Sequence, residues 1–152
     1  MSYATARAQI VTIVAGTTPV RTTKGLGAKF VHEATASKER LPSGRGFWID
    51  ADDVVVKDTL TRFSRSHYVV TMRVIVRYPV LGDSQVLDEV LVEDANAIGL
   101  RLANPTTWAR TTSTIDGVDG GAGPALIPAK REAIDGGGTL LIFEFSLEYL
   151  LT

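Results

Sequence analysis

The residues able to do chemistry are few and badly spaced for it. His32 and His67 are the only imidazoles, and neither has a second histidine or a glutamate four residues away, the spacing that puts two metal ligands on one helix face. His32-Glu33 closes a short run of strand character, so those two side chains point to opposite faces. Asp50, Asp52 and Asp53 are spaced like the start of a calcium loop but lack its glycine and its closing glutamate, which reads as a solvated turn. Asp116 and Asp119, set among glycines, read the same way. Neither Gly25-Leu26-Gly27 nor Gly120-Gly121-Ala122-Gly123 ends in the Gly-Lys-Ser/Thr of a phosphate loop. There is no nucleophile elbow, and with no cysteine there is no thiolate, disulfide or cysteine-bound zinc. The reading is a protein that is not an enzyme and has no cofactor or metal.

Charge is the next signal. The formal total is −1, yet residues 1–50 hold seven Lys/Arg against three acids, residues 51–100 five against eight, and residues 101–152 four against six. The first stretch, with Arg21, Lys24, Lys29, Lys38, Arg40 and Arg45, is therefore basic and the second acidic. Lys38, Arg40 and Arg45 fall in a polar run from Ala34 that reads as a long exposed loop, and they are the candidate interface residues. Such a loop meets either an acidic surface on a neighbouring copy or the phosphates of a nucleic acid. The first is favoured, because a dedicated nucleic-acid binder carries a larger positive excess with aromatics among its cations, and only Phe30 and Phe47 lie near.

The elements that must position these residues are legible from periodicity. Ser2 can cap a helix whose apolar positions Tyr3, Ala6, Ile10, Ile13 and Val14 form one stripe, ended by Gly16 and Pro19. Short strands are expected at Lys29–His32, Phe47–Ile49 and Val54–Val56. Tyr68 to Tyr78 alternates strictly, with Tyr68, Val70, Met72, Val74, Val76 and Tyr78 on one face and Arg73, Ile75 and Arg77 on the half-wet other. Pro79 stops it. Gly82-Asp83-Ser84 then turns into a second amphipathic helix carrying Leu87, Val90, Leu91, Ala95, Ile98 and Leu102, which ends at Asn104-Pro105. Its acids lie early and Arg101 late, complementing the helix macrodipole. The glycine-rich stretch 116–124 reads as a loop. Leu141, Phe143, Phe145, Leu147, Tyr149 and Leu151 alternate with Glu144, Ser146 and Glu148 in a long final strand. The fold class is α+β: two helices on one face of a mainly antiparallel or mixed β-sheet, with long polar loops, in a single domain over 1–152.

The chain of 152 residues, 45% apolar and 22% charged, has the composition of a globular protein able to fold alone. No apolar run approaches the roughly 20 residues of a membrane helix. The N-terminal residues lack the basic and apolar regions of a cleaved leader, so a soluble intracellular product is expected.

The order of these features resembles the tail-terminator, or tail-completion, proteins of long-tailed bacteriophages. The resemblance rests on the capped first helix, the basic loop ending in Gly44-Arg45-Gly46-Phe47-Trp48-Ile49, and the strand ending in Tyr78-Pro79. It rests also on the helix opening at Asp83-Ser84 and the final Phe143-Glu144-Phe145-Ser146-Leu147-Glu148-Tyr149. It implies a virion protein, made in the host cytoplasm, that forms a homo-oligomeric ring, usually a hexamer. The ring ends growth of the tail tube and joins it to the head. The implied partners are copies of itself, the tail tube protein, the head-tail connector or neck protein, and DNA passing through the lumen; no membrane is involved. The alternatives are a neck or stopper protein of the same joint and a small nucleic-acid-binding module.

Overall fold

The computed structural model describes residues 3–22, 26–33, 44–60, 65–104, 107, 113–115, 126–135 and 137–151. The expected Ser2 cap and the segments 34–43 and 116–124, read above as loops, lie outside these residues. The fold is α+β. The elements run α1 (Tyr3–Ala15), β1 (Leu26–His32), β2 (Gly44–Ala51), β3 (Val55–Leu60), β4 (Arg65–Tyr78), α2 (Ser84–Ala103), β5 (Ser113–Ile115), β6 (Ala129–Ala133) and β7 (Thr139–Leu151).

All seven strands join one mixed sheet. Its spine is the antiparallel pair β4 and β7, in register from Ser66 opposite Leu151 to Tyr78 opposite Thr139. β2 lies on the other side of β4, with β1 parallel to it at the edge, and β3 continues along β4 beyond β2. On the far side of β7, β6 and β5 pair at different heights. Directly opposed residues of an antiparallel pair share a face. Val74 opposite Phe143 and Met72 opposite Phe145 therefore merge the alternations of the two long strands into one apolar surface.

Both helices cover that surface. α1 contributes Ala6, Ile10, Ile13 and Val14, and α2 contributes Val90, Leu91, Ile98, Leu102 and Ala103. They close over Phe30, Phe47, Ile49, Val70, Met72, Val74, Val76, Tyr78, Leu141, Phe143, Phe145 and Leu147. The cap on α2 is as expected: an Asp83 carboxylate oxygen accepts from the backbone N–H of Gln85 at 3.0 Å and of Val86 at 3.3 Å. At the other end, Arg101 donates from Nε to the Ile13 carbonyl at 3.3 Å, and Thr17 Oγ1 donates to the same carbonyl at 2.9 Å. Two carbonyl-directed side chains thus satisfy the C-terminus of α1 and lash it to α2.

The reverse face of the sheet is divided. Trp48, Ile75 and Leu140 form a second small cluster, flanked by Ile134 and Ile142, and the Arg77 guanidinium lies 4.9 Å from the Trp48 ring centroid. Farther along, the half-buried Arg73 sits between the exposed carboxylates of Asp52 and Glu144. Two strands were not anticipated. β5 falls in a threonine-rich stretch, and β6, Ala129-Lys130-Arg131-Glu132-Ala133, lacks the apolar alternation of a half-buried strand because it is an edge whose charges meet water.

Candidate interaction surface

Of the three candidate interface residues, Lys38 and Arg40 lie outside the described residues, and Arg45 is not where the sequence reading put it. Arg45 is the second residue of β2, not part of an exposed loop, and it is 0% exposed. It cannot form part of a docking surface of the folded chain. Its backbone φ is +66°, a left-handed conformation uncommon for a side chain of this size, held between Gly44 and Gly46.

The inward turn delivers its guanidinium to a complete set of acceptors. Nε donates to Asp94 Oδ2 at 2.8 Å and Nη2 to Asp94 Oδ1 at 3.2 Å, a bidentate pair inside the fold. Nη1 donates to the Gly27 carbonyl at 2.8 Å and Nη2 also to the Arg21 carbonyl at 2.7 Å. Phe30 flanks the group at 5.8 Å. Asp94 Oδ2 further accepts from the Tyr78 hydroxyl at 2.7 Å. One arginine thereby ties β2, β1, the connector after α1, and α2 together, and Tyr78 brings in the end of β4. Burial, reinforced by the adjacent Asp94 carboxylate, pushes the Tyr78 phenol well above its usual pKa. It stays a neutral donor.

The same rule governs Arg21. Its Nη1 donates to Glu89 at 2.7 Å and its Nε and Nη2 reach Glu93 at 3.0 and 2.7 Å, and these carboxylates raise its pKa, Glu93 most. The basic first third and the acidic middle third do complement each other, but at Arg21 and Arg45 they do so within one subunit, across the α2 surface. Lys29 remains exposed on β1, and Lys24 lies outside the described residues.

The other candidate groups are dispersed. His32 is half-buried at the end of β1 with its ring 5.4 Å from that of Phe47, whereas His67 is on β4. Asp52 binds Arg73 Nη2 through both carboxylate oxygens at 2.8 Å, and Glu144 accepts from Arg73 Nε at 3.1 Å; the Asp52 pair is the main cause of the raised Arg73 pKa. Asp50 and Asp53 stand exposed beside them. Among the described residues, no three His, Asp or Glu side chains converge as metal ligands would, and no helix is long and apolar enough to cross a membrane. A cleft of about 310 Å³ opens between the start of α2 and β6, lined by Ser84, Leu87, Asp88, Leu91, Arg131, Ala133 and Thr139. Arg131 donates to Asp88 across it.

The buried cluster left one trace in the sequence. Positions 87, 91, 94, 98 and 102 recur at helical spacing, so Asp94 lies on the apolar stripe of α2 and not on its polar side. A carboxylate there requires a buried partner. Which cation supplies it is not visible from spacing. No protein-family model matches the chain, and no curated protein is significantly similar to it.

Proposed function

We propose that this chain is a structural assembly protein, a subunit of a closed ring at the head-proximal end of a phage tail tube. There the ring ends tube growth and joins the tube to the head connector. The support for the reading is the resemblance in element order: a helix, a strand ending in Tyr78-Pro79, a helix opened by Asp83, and a long last strand. The observation that carries it furthest is how β1, β2, β4 and α2 are locked by the Arg45–Asp94–Tyr78 cluster. A rigid body of this kind suits a subunit whose work is contact. Among the described residues the sheet ends in β1 and β3 on one side and in β5 and β6 on the other, and strand edges of this kind can receive a neighbour.

A neck or stopper protein of the same joint would share this logic and differ only in the ring it sits on. The nucleic-acid reading loses one of its three cations, because Arg45 is consumed inside the fold. Light scattering and negative-stain imaging of the purified protein test the proposal. A ring of uniform copy number supports it. A monomer that retards a DNA fragment in a salt-sensitive manner replaces it with the nucleic-acid module.

A further inference from the structure

The strands of the sheet are not held alike. β4 and β7 pair without interruption from Ser66 opposite Leu151 to Tyr78 opposite Thr139. The parallel pairing of β1 with β2 is broken in the middle: Leu26 stands opposite Gly44 and Val31 opposite Gly46, so five steps along β1 match two along β2. Within β1 only Leu26 and Phe30 are buried, while Ala28, Lys29 and Val31 are exposed. Opposite the break lies Arg45, whose Nη1 donates to the Gly27 carbonyl at 2.8 Å and whose Nη2 donates to the Arg21 carbonyl at 2.7 Å. A side chain there takes over part of the work that ladder hydrogen bonds do between β4 and β7.

Arg45 itself is anchored in the body of the fold, because its pair with Asp94 on α2 is fully buried and does not involve β1. The second tie is on the outside. The Arg21 guanidinium reaches across to Glu89 and Glu93 on α2, and these three side chains leave 39%, 43% and 28% of their surface in solvent. We propose that residues 20–22 and β1 form a strap that opens as one unit while the rest of the fold stays closed, with the Arg21 clasp setting how often it opens. In the open state the Gly27 and Arg21 carbonyls take water in place of the guanidinium, and Arg45 keeps Asp94. Opening therefore costs the burial of Leu26 and Phe30 and one exposed clasp, well below the cost of separating β4 from β7. It uncovers the edge of β2, including the Phe47 carbonyl that accepts from the Glu33 N–H at 2.9 Å when the strap is closed. Because the clasp is exposed, salt weakens it. The strap is a property of the single chain and does not depend on the ring reading.

Amide hydrogen exchange on the full chain, read peptide by peptide, tests this. In the parent, the amides of 26–33 should exchange through one shared opening, much faster than those of β4 and β7. Arg21→Gln should speed exchange in 26–33 about 5-fold and leave β4 and β7 unchanged, the size that loss of an exposed clasp can reach. Glu89→Gln/Glu93→Gln should give the same gain from the α2 side. Raising salt from about 0.1 M to about 1 M shortens the Debye length from about 10 Å to about 3 Å. That change should speed 26–33 in the parent and leave Arg21→Gln where it is. If 26–33 exchanges only at the rate of β4 and β7, there is no separate strap. If Arg21→Gln speeds every strand equally, the clasp serves global stability and the proposal fails. It fails also if 26–33 opens early but responds neither to Arg21→Gln nor to salt.

Discussion

At the scale of residues, the decisive feature is a charge cluster inside an apolar fold. Removing one member of a buried ion pair leaves the other charged and unsolvated, so Arg45→Met should cost about 3–5 kcal/mol in urea unfolding. The double variant Arg45→Met/Asp94→Leu should recover part of that loss. An Arg45 variant with parent stability would mean that the cluster contributes nothing. Tyr78 adds a pH dependence whose sign is fixed by its raised folded pKa. Its contribution is fully present below the unfolded value of about 10 and is lost as pH climbs toward the higher folded value. Alkaline titration of the folded state should therefore show a loss of stability above about pH 10. Tyr78→Phe should flatten that slope while costing about 1 kcal/mol at neutral pH for the lost hydrogen bond to Asp94.

At the scale of elements, stability depends on how α2 seats between α1 and the approach to β6. The backbone N–H of Ile127 donates to the Gly99 carbonyl at 3.1 Å, and a Cβ on Gly99 would lie 2.4 Å from the Ile127 carbonyl oxygen and 2.7 Å from Leu126 Cδ1. Alanine normally strengthens a helix over glycine by about 1 kcal/mol, yet here the backbone of 126–127 would have to move. Gly99→Ala should lower stability by roughly 1–3 kcal/mol in thermal or urea unfolding, and a stabilised variant would disprove this close approach. Phe143, fully buried on β7 under both helices, is the corresponding test of the sheet. Phe143→Ala should cost about 3–5 kcal/mol, whereas Glu144→Ala, on the open face, should change little.

For the whole molecule, the internal pairing of Arg21 and Arg45 changes what the basic third can do. Lys38 and Arg40 carry the interface reading without Arg45. On the sequence reading of 34–45 as a solvated run, Lys38→Ala/Arg40→Ala should keep the parent melting temperature, since solvated charges contribute little to folding. If the segment serves the ring, assembly should weaken; if it faces DNA in the lumen, rings should persist and salt-sensitive DNA contact should fall. A double variant indistinguishable from the parent in both would show that these cations serve neither.

The sequence by itself determined the elements that depend on local periodicity and local caps. The strict alternation of β4 and β7 can bury only one face, so Val70, Met72, Val74 and Val76 and Leu141, Phe143, Phe145 and Leu147 had to join one core. The Asp83 cap and the stop at Asn104 fix α2 within a residue. The parallel pairing of β1 with β2, the edge strands β5 and β6, and the fate of Arg45 came from the tertiary structure alone. An edge strand has one wet side and little apolar alternation, so its local pattern matches a loop. Asp94 announced a buried charge by its place on an apolar stripe, but its partner lies 49 residues away in sequence. Only the packing of α2 over β1, β2 and β4 brings a guanidinium within 2.8 Å of it and turns a residue read as surface into the tie that holds four elements together.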